Sequence, residues 1–436
     1  MSKQARGGST ARARWAFWQL APEEAWRGNL YVVMFGVFVS FTGFTFVMPF
    51  LPLYIRQLGI TDPGDAALWS GLIFGISPLL SGLLAPVWSI LAERHGRKVM
   101  LQRSLGAFAV LIALMAFVTN IYQLLALRLA IGVFGGVAAM SVALASTIAP
   151  RHQVGESVGL IQATQLASGI AAPFIGGVIV DAFGLHGSFF LASGLCVMAF
   201  LIITLAYRED REQGDAPVTN AKEAPKPRLT FREMLHLPIF VGLAVAMFTI
   251  QFIDKSFGPL LPLYIGTLGA PEARIGTITG VVMTLGALTA SFAAVWTGRL
   301  SSRIEPRPLL FGALLAGAII CVPIAFVGHW AQLMVLRLLL GLFAGGALTL
   351  TYAIGGRDMP AGAKMAAFGT LAGLGQIGGA TAPFVTGALS KWASLSAIFL
   401  VDAVLYGLLF AWTLYMFGLK REPTPALSEA LALGDD

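Results

Sequence analysis

The chain alternates between long apolar stretches and short polar breaks. Twelve apolar blocks can be drawn, near 30–55, 68–92, 99–119, 121–148, 155–180, 187–207, 238–265, 274–300, 307–327, 330–355, 363–389 and 394–418. Each is about 20 residues or more, the length an α-helix needs to cross the hydrocarbon core of a bilayer. Many contain Gly and Pro, which membrane helices tolerate better than soluble ones. The pattern predicts an all-α polytopic membrane protein with twelve spans. The first block is too long for a cleavable signal and follows a basic segment without an A-x-A site, so it reads as the first span.

Composition agrees with the pattern. Hydrophobic residues make up 57% of the chain and charged residues 12%, with a mean hydropathy of +0.78; soluble domains carry about a quarter charged residues. Of the 29 Lys and Arg residues, only Arg56, Arg274 and Lys391 fall on the odd-numbered connections. Arg128, Lys255 and Arg337 lie inside spans, and all the others sit on the even-numbered connections and the two tails. An excess of basic residues marks the cytoplasmic side, so both termini are expected there. The net charge of +7 then faces the anionic inner leaflet and requires no nucleic acid. Cys196 and Cys321 lack metal-ligand spacing, and the five histidines form no H-E-x-x-H pattern. No catalytic constellation, cofactor site or metal site is predicted.

The chain is written twice. PFLPLYIRQLG from Pro49 returns as PLLPLYIGTLG from Pro259, and Val87–Trp88 returns as Val295–Trp296. QLLALRLAIGVFGG from Gln123 returns as QLMVLRLLLGLFAGG from Gln332, and APFIGG from Ala172 returns as APFVTG from Ala382. A steady offset of 208 to 210 residues predicts a duplicated six-helix unit. The expected organisation is a tail at 1–29, a six-helix bundle at 30–207, a linker at 208–237, a second bundle at 238–418 and a tail at 419–436. The linker is charged and Pro-containing, the composition of a segment with little fixed structure. Two such bundles place a cavity at their interface near the bilayer midplane, and rocking them exposes it to either side in turn.

Loop 2–3 reads SILAERHGRKVML from Ser89. It resembles the G-x-L-A-D-R-x-G-R-K-x-x-L signature of the major facilitator superfamily, with Glu93 in place of Asp and Ser89 in place of the first Gly. Leu124, Arg128 and Gly132 in span four resemble a second family pattern, whose usual Gln is Ile131 here. Ala172, Pro173, Gly176 and Gly177 in span five resemble the G-P-x-x-G-G pattern of the twelve-helix drug–proton antiporter group. Pro173, Gly176 and Gly177 are the expected helix-packing positions. Read physically, Gly96 can take a positive φ between antiparallel helices. Arg94, Arg97 and Lys98 hold the loop on the cytoplasmic side. A carboxylate at Glu93 can meet a helix N-terminus, for roughly 0.3–2 kcal/mol. The resemblance implies that Glu93 faces the start of span eleven across the gap, so that Glu93, Arg94, Gly96, Arg97 and Lys98 latch one conformational state. The plain alternative is a loop that only sets topology. Its counterpart, TGRLSSRIEPRP from Thr297, has lost the acid and the Gly at the matching positions, which are Ser301 and Ile304.

Ionisable residues inside spans are functional candidates by default. Here they are Arg128, Asp254, Lys255, Arg337 and Asp402. Asp254 lies near the middle of span seven, and its repeat mate is Phe44. Arg337 in span ten differs from it in depth by about four residues, roughly 6 Å. An Asp254–Arg337 pair is therefore expected as the proton-coupling unit, with a permanent structural salt bridge as the alternative. Lys255 points about 100° away from Asp254 on an ideal helix, so it need not share the site. Arg128 and Lys255 add cavity charge, and Asp402 is expected to serve packing or a helix end. Candidate substrate contacts are Phe41, Phe44, Met48, Phe257 and Met283, with Gln162, Gln165, Gln251 and Gln376 as hydrogen-bonding groups. The G-x-G-x-x-G of Gly373, Gly375 and Gly378 lies within span eleven, where small residues permit close helix packing, and lacks the strand a dinucleotide site needs.

Together these features predict a monomeric secondary transporter that exports amphipathic small molecules in exchange for protons. Alternatives are a dedicated exporter or importer of one anionic or zwitterionic metabolite, such as a siderophore, and a receptor or scaffold of the same fold that has lost transport. The three intramembrane cations against two anions favour an anionic or zwitterionic substrate.

Overall fold

The computed structural model describes residues 25–150, 153–207, 234–359 and 364–418. The C-terminal tail, nearly all of the N-terminal tail and most of the linker lie outside these, as does the side chain of Glu93. Span one runs as a helix over Ala25–Val47, a 3-10 turn over Met48–Phe50 and a short helix over Leu51–Gln57. Span two is Pro63–His95 and span three Arg97–Met115. Span four is Ile121–Phe134 followed by Val137–Ile148. Spans five and six form one run, Val154–Ala206, broken at Gly184, whose φ of 70° is not helical. Span seven repeats span one as Pro238–Ser256, a 3-10 turn Gly258–Leu260 and Leu261–Thr267. Then come span eight at Ile275–Ser301, nine at Pro306–Ile324, and ten at Trp330–Ala344 and Ala347–Asp358. Span eleven is Lys364–Ser390 and span twelve Ala397–Thr413, ending in a π turn over Leu414–Gly418.

Local chemistry sets the boundaries. Asp62 caps span two by accepting from the Asp65 N–H at 2.8 Å, with Pro63 in the first helical position. Asn120 caps span four in the same way, accepting from the Gln123 N–H at 2.9 Å. Gly96 takes φ 90° and joins spans two and three in a single residue, a conformation that a side chain would strain.

The sequence repeat is a structural repeat down to single bonds. Tyr54 donates its hydroxyl to the Met115 carbonyl at 2.8 Å, and its mate Tyr264 donates to the Ile324 carbonyl at 3.0 Å. Gln123 accepts from the Thr119 N–H at 2.9 Å, and Gln332 accepts from the Gly328 N–H at 3.1 Å. These bonds tie the turns between spans three and four and between nine and ten. Within each half span one packs on span five, and span seven on span eleven; between the halves span two packs on span eleven and span five on span eight.

Candidate functional site

The halves meet along two seams made of backbone. In the seam between spans five and eight, a Cβ at Gly280 would overlap the Pro173 carbonyl, and one at Gly177 would overlap the Gly276 carbonyl. In the seam between spans two and eleven, a Cβ at Gly71 would overlap the Pro383 carbonyl, and one at Gly387 would come within 2.7 Å of the Ala67 carbonyl. The two sets are repeat mates, so the APFIGG and APFVTG segments do the same work in each half. Each seam is closed by a polar contact. Asp181 accepts from the backbone N–H groups of Gly276 at 3.0 Å and Thr277 at 2.7 Å, at the N-terminus of span eight. Its mate Lys391 forms a 2.9 Å ion pair with Asp65 in the first turn of span two. Beside that pair lies a cleft of about 430 Å³ lined by Leu68, Trp69, Leu72 and Phe384. Between the seams the two 3-10 turns, Met48–Phe50 and Gly258–Leu260, touch each other. These contacts lie toward the end that carries connections 1–2 and 7–8, the deepest being Thr284 Oγ1, which donates to the Ile170 carbonyl at 2.8 Å.

Just below this closure, on span seven, lies the charged centre. Lys255 Nζ is 2.7 Å from Asp254 Oδ2, and each side chain is 58% exposed. A charged pair midway along a span is costly against lipid, so the exposed face marks an aqueous gap between the halves. Gln251, one turn before, lines the same side of span seven, and Gly375 and Gly379 of span eleven make room for Gln251 and the Lys255 stem.

The expected Asp254–Arg337 pair is corrected here. Asp254 pairs with Lys255, whose long stem folds back across the helix and cancels the 100° between adjacent positions. Arg337 forms no ion pair among the described residues, and its Nε is buried without a partner, although its charge reaches Asp254 at longer range. Arg128 does not line the gap either. It is 1% exposed, with Nε donating to the Ile73 carbonyl at 3.3 Å and Nη2 lying 2.9 Å from Met48 Sδ. Phe257 is likewise buried, its ring tilted against that of Phe399 with centroids 3.8 Å apart, because it continues the face of span seven that buries Ala246, Ile250 and Ile253.

Other candidates divide between the gap and the packing. Phe44 is half-buried and stacks on Phe108 of span three at 5.1 Å. Phe41, Met48 and Met283 are also half-buried against the core. Gln165 donates to Ser141 at 3.0 Å and so ties span five to span four, whereas Gln162 and Gln376 are exposed. Gly176 lies against the Phe46 carbonyl of span one. In loop 2–3, Arg97 donates to the Ala143 carbonyl and Lys98 to the Tyr207 carbonyl, both at 2.9 Å, while Arg94 is exposed. The expected reach of Glu93 to the start of span eleven lies outside the described residues.

Sequence reasoning missed the seam closures. Asp181 and Lys391 stand 210 residues apart on either side of the duplication, just beyond the repeated APF segments, and that spacing was the available signal. It also missed Arg103, whose guanidinium lies 3.6 Å over the Trp88 ring and joins spans two and three.

Comparison with known proteins agrees with this architecture. The model of the Major Facilitator Superfamily matches residues 33–330 and 243–432. Multidrug resistance protein MdtG of Escherichia coli is 31% identical over 405 residues, covering 92% of this chain and 97% of its own. The protein of that name from Enterobacter lignolyticus is 32% identical over 402 residues, covering 92% of this chain and 94% of its own. Among solved structures, a bacterial homologue of the human lysosomal transporter Spinster, in an inward-facing and occupied conformation, superposes with a TM-score of 0.74 at 13% identity, over 91% of this chain and 98% of its own. The human organic anion transporter MFSD10 (TETRAN) superposes with a TM-score of 0.59 at 19% identity, over 90% of this chain and all of its own.

Proposed function

The chain belongs to the major facilitator superfamily, a family of multi-pass membrane transporters rather than enzymes, and from that premise we propose that it exports amphipathic small molecules across the bacterial inner membrane in exchange for protons. The observation that carries the reading is the Asp254–Lys255 pair, exposed to the gap directly beneath the two closed seams. The relatives named multidrug resistance proteins support the substrate class. The basic connections support an orientation with both termini in the cytoplasm and the closed seams on the outside. On that orientation the structure is an inward-facing state, like the conformation in which the Spinster homologue was solved.

The pair supplies both the binding charge and the coupling. A zwitterion entering from the cytoplasm lays its cationic group on Asp254 and its anionic group on Lys255. When the seams part and the gap meets the more acidic outside, Asp254 takes a proton and one of the two charge contacts is lost. The guest leaves, the halves rock back, and the proton is given up to the cytoplasm. One pKa unit is ~1.4 kcal/mol, so a modest change in hydration between the two states is enough to load and unload the acid. An anionic guest held by Lys255 alone would bind better once Asp254 is protonated, which gives uptake with the proton rather than exchange against it. The geometry thus favours zwitterionic or cationic amphipaths for export.

The test is transport in proteoliposomes with an imposed pH gradient, using labelled zwitterionic, cationic and anionic amphipaths. Gradient-driven accumulation of the first two classes, with counterflow of protons, is expected. Proton-independent movement of every compound would overturn the reading.

A further inference from the structure

Asp402 lies about six residues into span twelve, facing span seven. Its side chain is 3% exposed. Oδ2 is 2.8 Å from Ser256 Oγ, and Oδ1 is buried with no partner. Ser256 Oγ is also 2.9 Å from the Ile253 carbonyl. A serine hydroxyl has one hydrogen, so it cannot donate to both oxygens. A proton on Asp402 Oδ2 gives each hydroxyl hydrogen an acceptor: the carboxyl O–H donates to Ser256 Oγ, which donates to the Ile253 carbonyl.

The surrounding charges agree with a neutral carboxyl. From span seven the neighbour is Ser256, whereas Asp254 and Lys255 lie on the exposed side of that span, engaged with each other. Tyr264 of the same span packs on Phe399, one turn from Asp402. Span nine presents buried Cys321, and span twelve itself presents buried Tyr406. Span eleven contributes Thr386, which donates to the Ser256 carbonyl at 2.8 Å. Arg337 of span ten reaches Asp402 only at long range, and Asp402 forms no ion pair among the described residues. A buried carboxylate without a cation is expensive, whereas a carboxylic acid with one donor bond is not.

We propose that Asp402 is a second proton-binding site of the C-terminal half, loaded in this conformation and emptied during the cycle. This rests on the proton-exchange reading above and adds a site separate from Asp254. Arg337 is the group that would receive the ionised form, since its charge reaches both acids and its Nε has no partner. In the emptying step, while the gap is still open to the cytoplasm, the Asp402 O–H bond breaks, the proton passes to water in the gap, and the carboxylate left behind swings toward Arg337. Ser256 then donates to that carboxylate instead of to the Ile253 carbonyl.

Infrared spectroscopy of the purified protein in lipid tests the proton directly, by the carbonyl stretch of a protonated carboxylic acid. The wild-type protein is expected to show such a band at neutral pH. Asp402→Asn should remove it, Asp254→Asn should leave it, and Ser256→Ala should shift its frequency. In proteoliposomes with an imposed pH gradient, and norfloxacin as a fluorescent zwitterionic probe, Asp402→Asn should lower accumulation at least tenfold. Asp402→Glu, which keeps the acid, should restore part of it. Survival of the band in Asp402→Asn, or wild-type accumulation by that variant, overturns the proposal. If the wild-type protein itself moves norfloxacin without regard to the gradient, proton exchange of this probe fails, and the infrared band alone decides Asp402.

Discussion

Asp254 and Lys255 are neighbours in sequence that act as one group. The two charges lie 2.7 Å apart, so the variants Asp254→Asn and Lys255→Met, which remove opposite halves of the pair, should fail differently. Asp254→Asn is expected to cut gradient-driven accumulation at least tenfold and to leave downhill exchange measurable. Full wild-type proton flux in proteoliposomes of that variant would show that the coupling acid lies elsewhere. Lys255→Met leaves the carboxylate without its cation, which favours its protonation, so the pH optimum of transport should move upward; a pH–rate profile in the same vesicles reads the shift. Depth along the chain was enough to single out Asp254, because a charge midway along an apolar block is too costly to keep there without a use. Its partner was not legible, because a four-carbon stem reaches positions that helical angles place out of range. For Arg128 the same depth argument pointed to the gap, whereas the guanidinium is buried against the Ile73 carbonyl and Met48.

Helices carry their information in length, phase and the residues at their seams. The twelve spans and the duplication were legible because apolar length and positional identity survive without any knowledge of packing. Phase was legible too, but it has to be read against the neighbouring turns of the same helix. Phe257 was misplaced because its residue type was weighed and its phase was not: it stands on the helix face of Ala246, Ile250 and Ile253, which packs into the bundle. The seams were half legible: Pro173, Gly176 and Gly177 read as packing residues, but which helix each would meet depends on the tertiary arrangement. Their backbone contacts leave no room for a side chain, so Gly280→Val should hold the span five–eight seam apart. Overpacking typically costs ~1–3 kcal/mol, about 5- to 150-fold in a two-state equilibrium. The check is oxidative cross-linking of Asp65→Cys with Lys391→Cys in a background lacking Cys196 and Cys321. The cross-link should form readily in the parent and block transport until reduced, and Gly280→Val should slow its formation at least fivefold. An unchanged rate would mean that the seam tolerates the added bulk. Asp181→Asn removes a carboxylate from a helix N-terminus, a contact of about 0.3–2 kcal/mol, and should slow the same cross-link by a smaller factor.

At the level of the whole molecule, orientation links the closed seams to one side of the membrane. Cysteine at Gly214 should resist a membrane-impermeant thiol reagent applied to intact cells, and cysteine at Asp62 should react. The opposite pattern would invert the proposed direction of transport. The two seams share a geometry but not a chemistry. One is clipped by a half-buried carboxylate on helix amides, and the other by an ion pair whose members are each nearly half exposed. Salt at 0.1 M screens exposed charges beyond about 10 Å and weakens such surface pairs further as it rises. A concentrated medium therefore loosens spans two and eleven while spans five and eight stay clipped, and the halves part on one flank first. The cleft lined by Trp69 and Phe384 lies on that flank, beside the pair that salt weakens, so a parting of the halves there widens a recess that already exists.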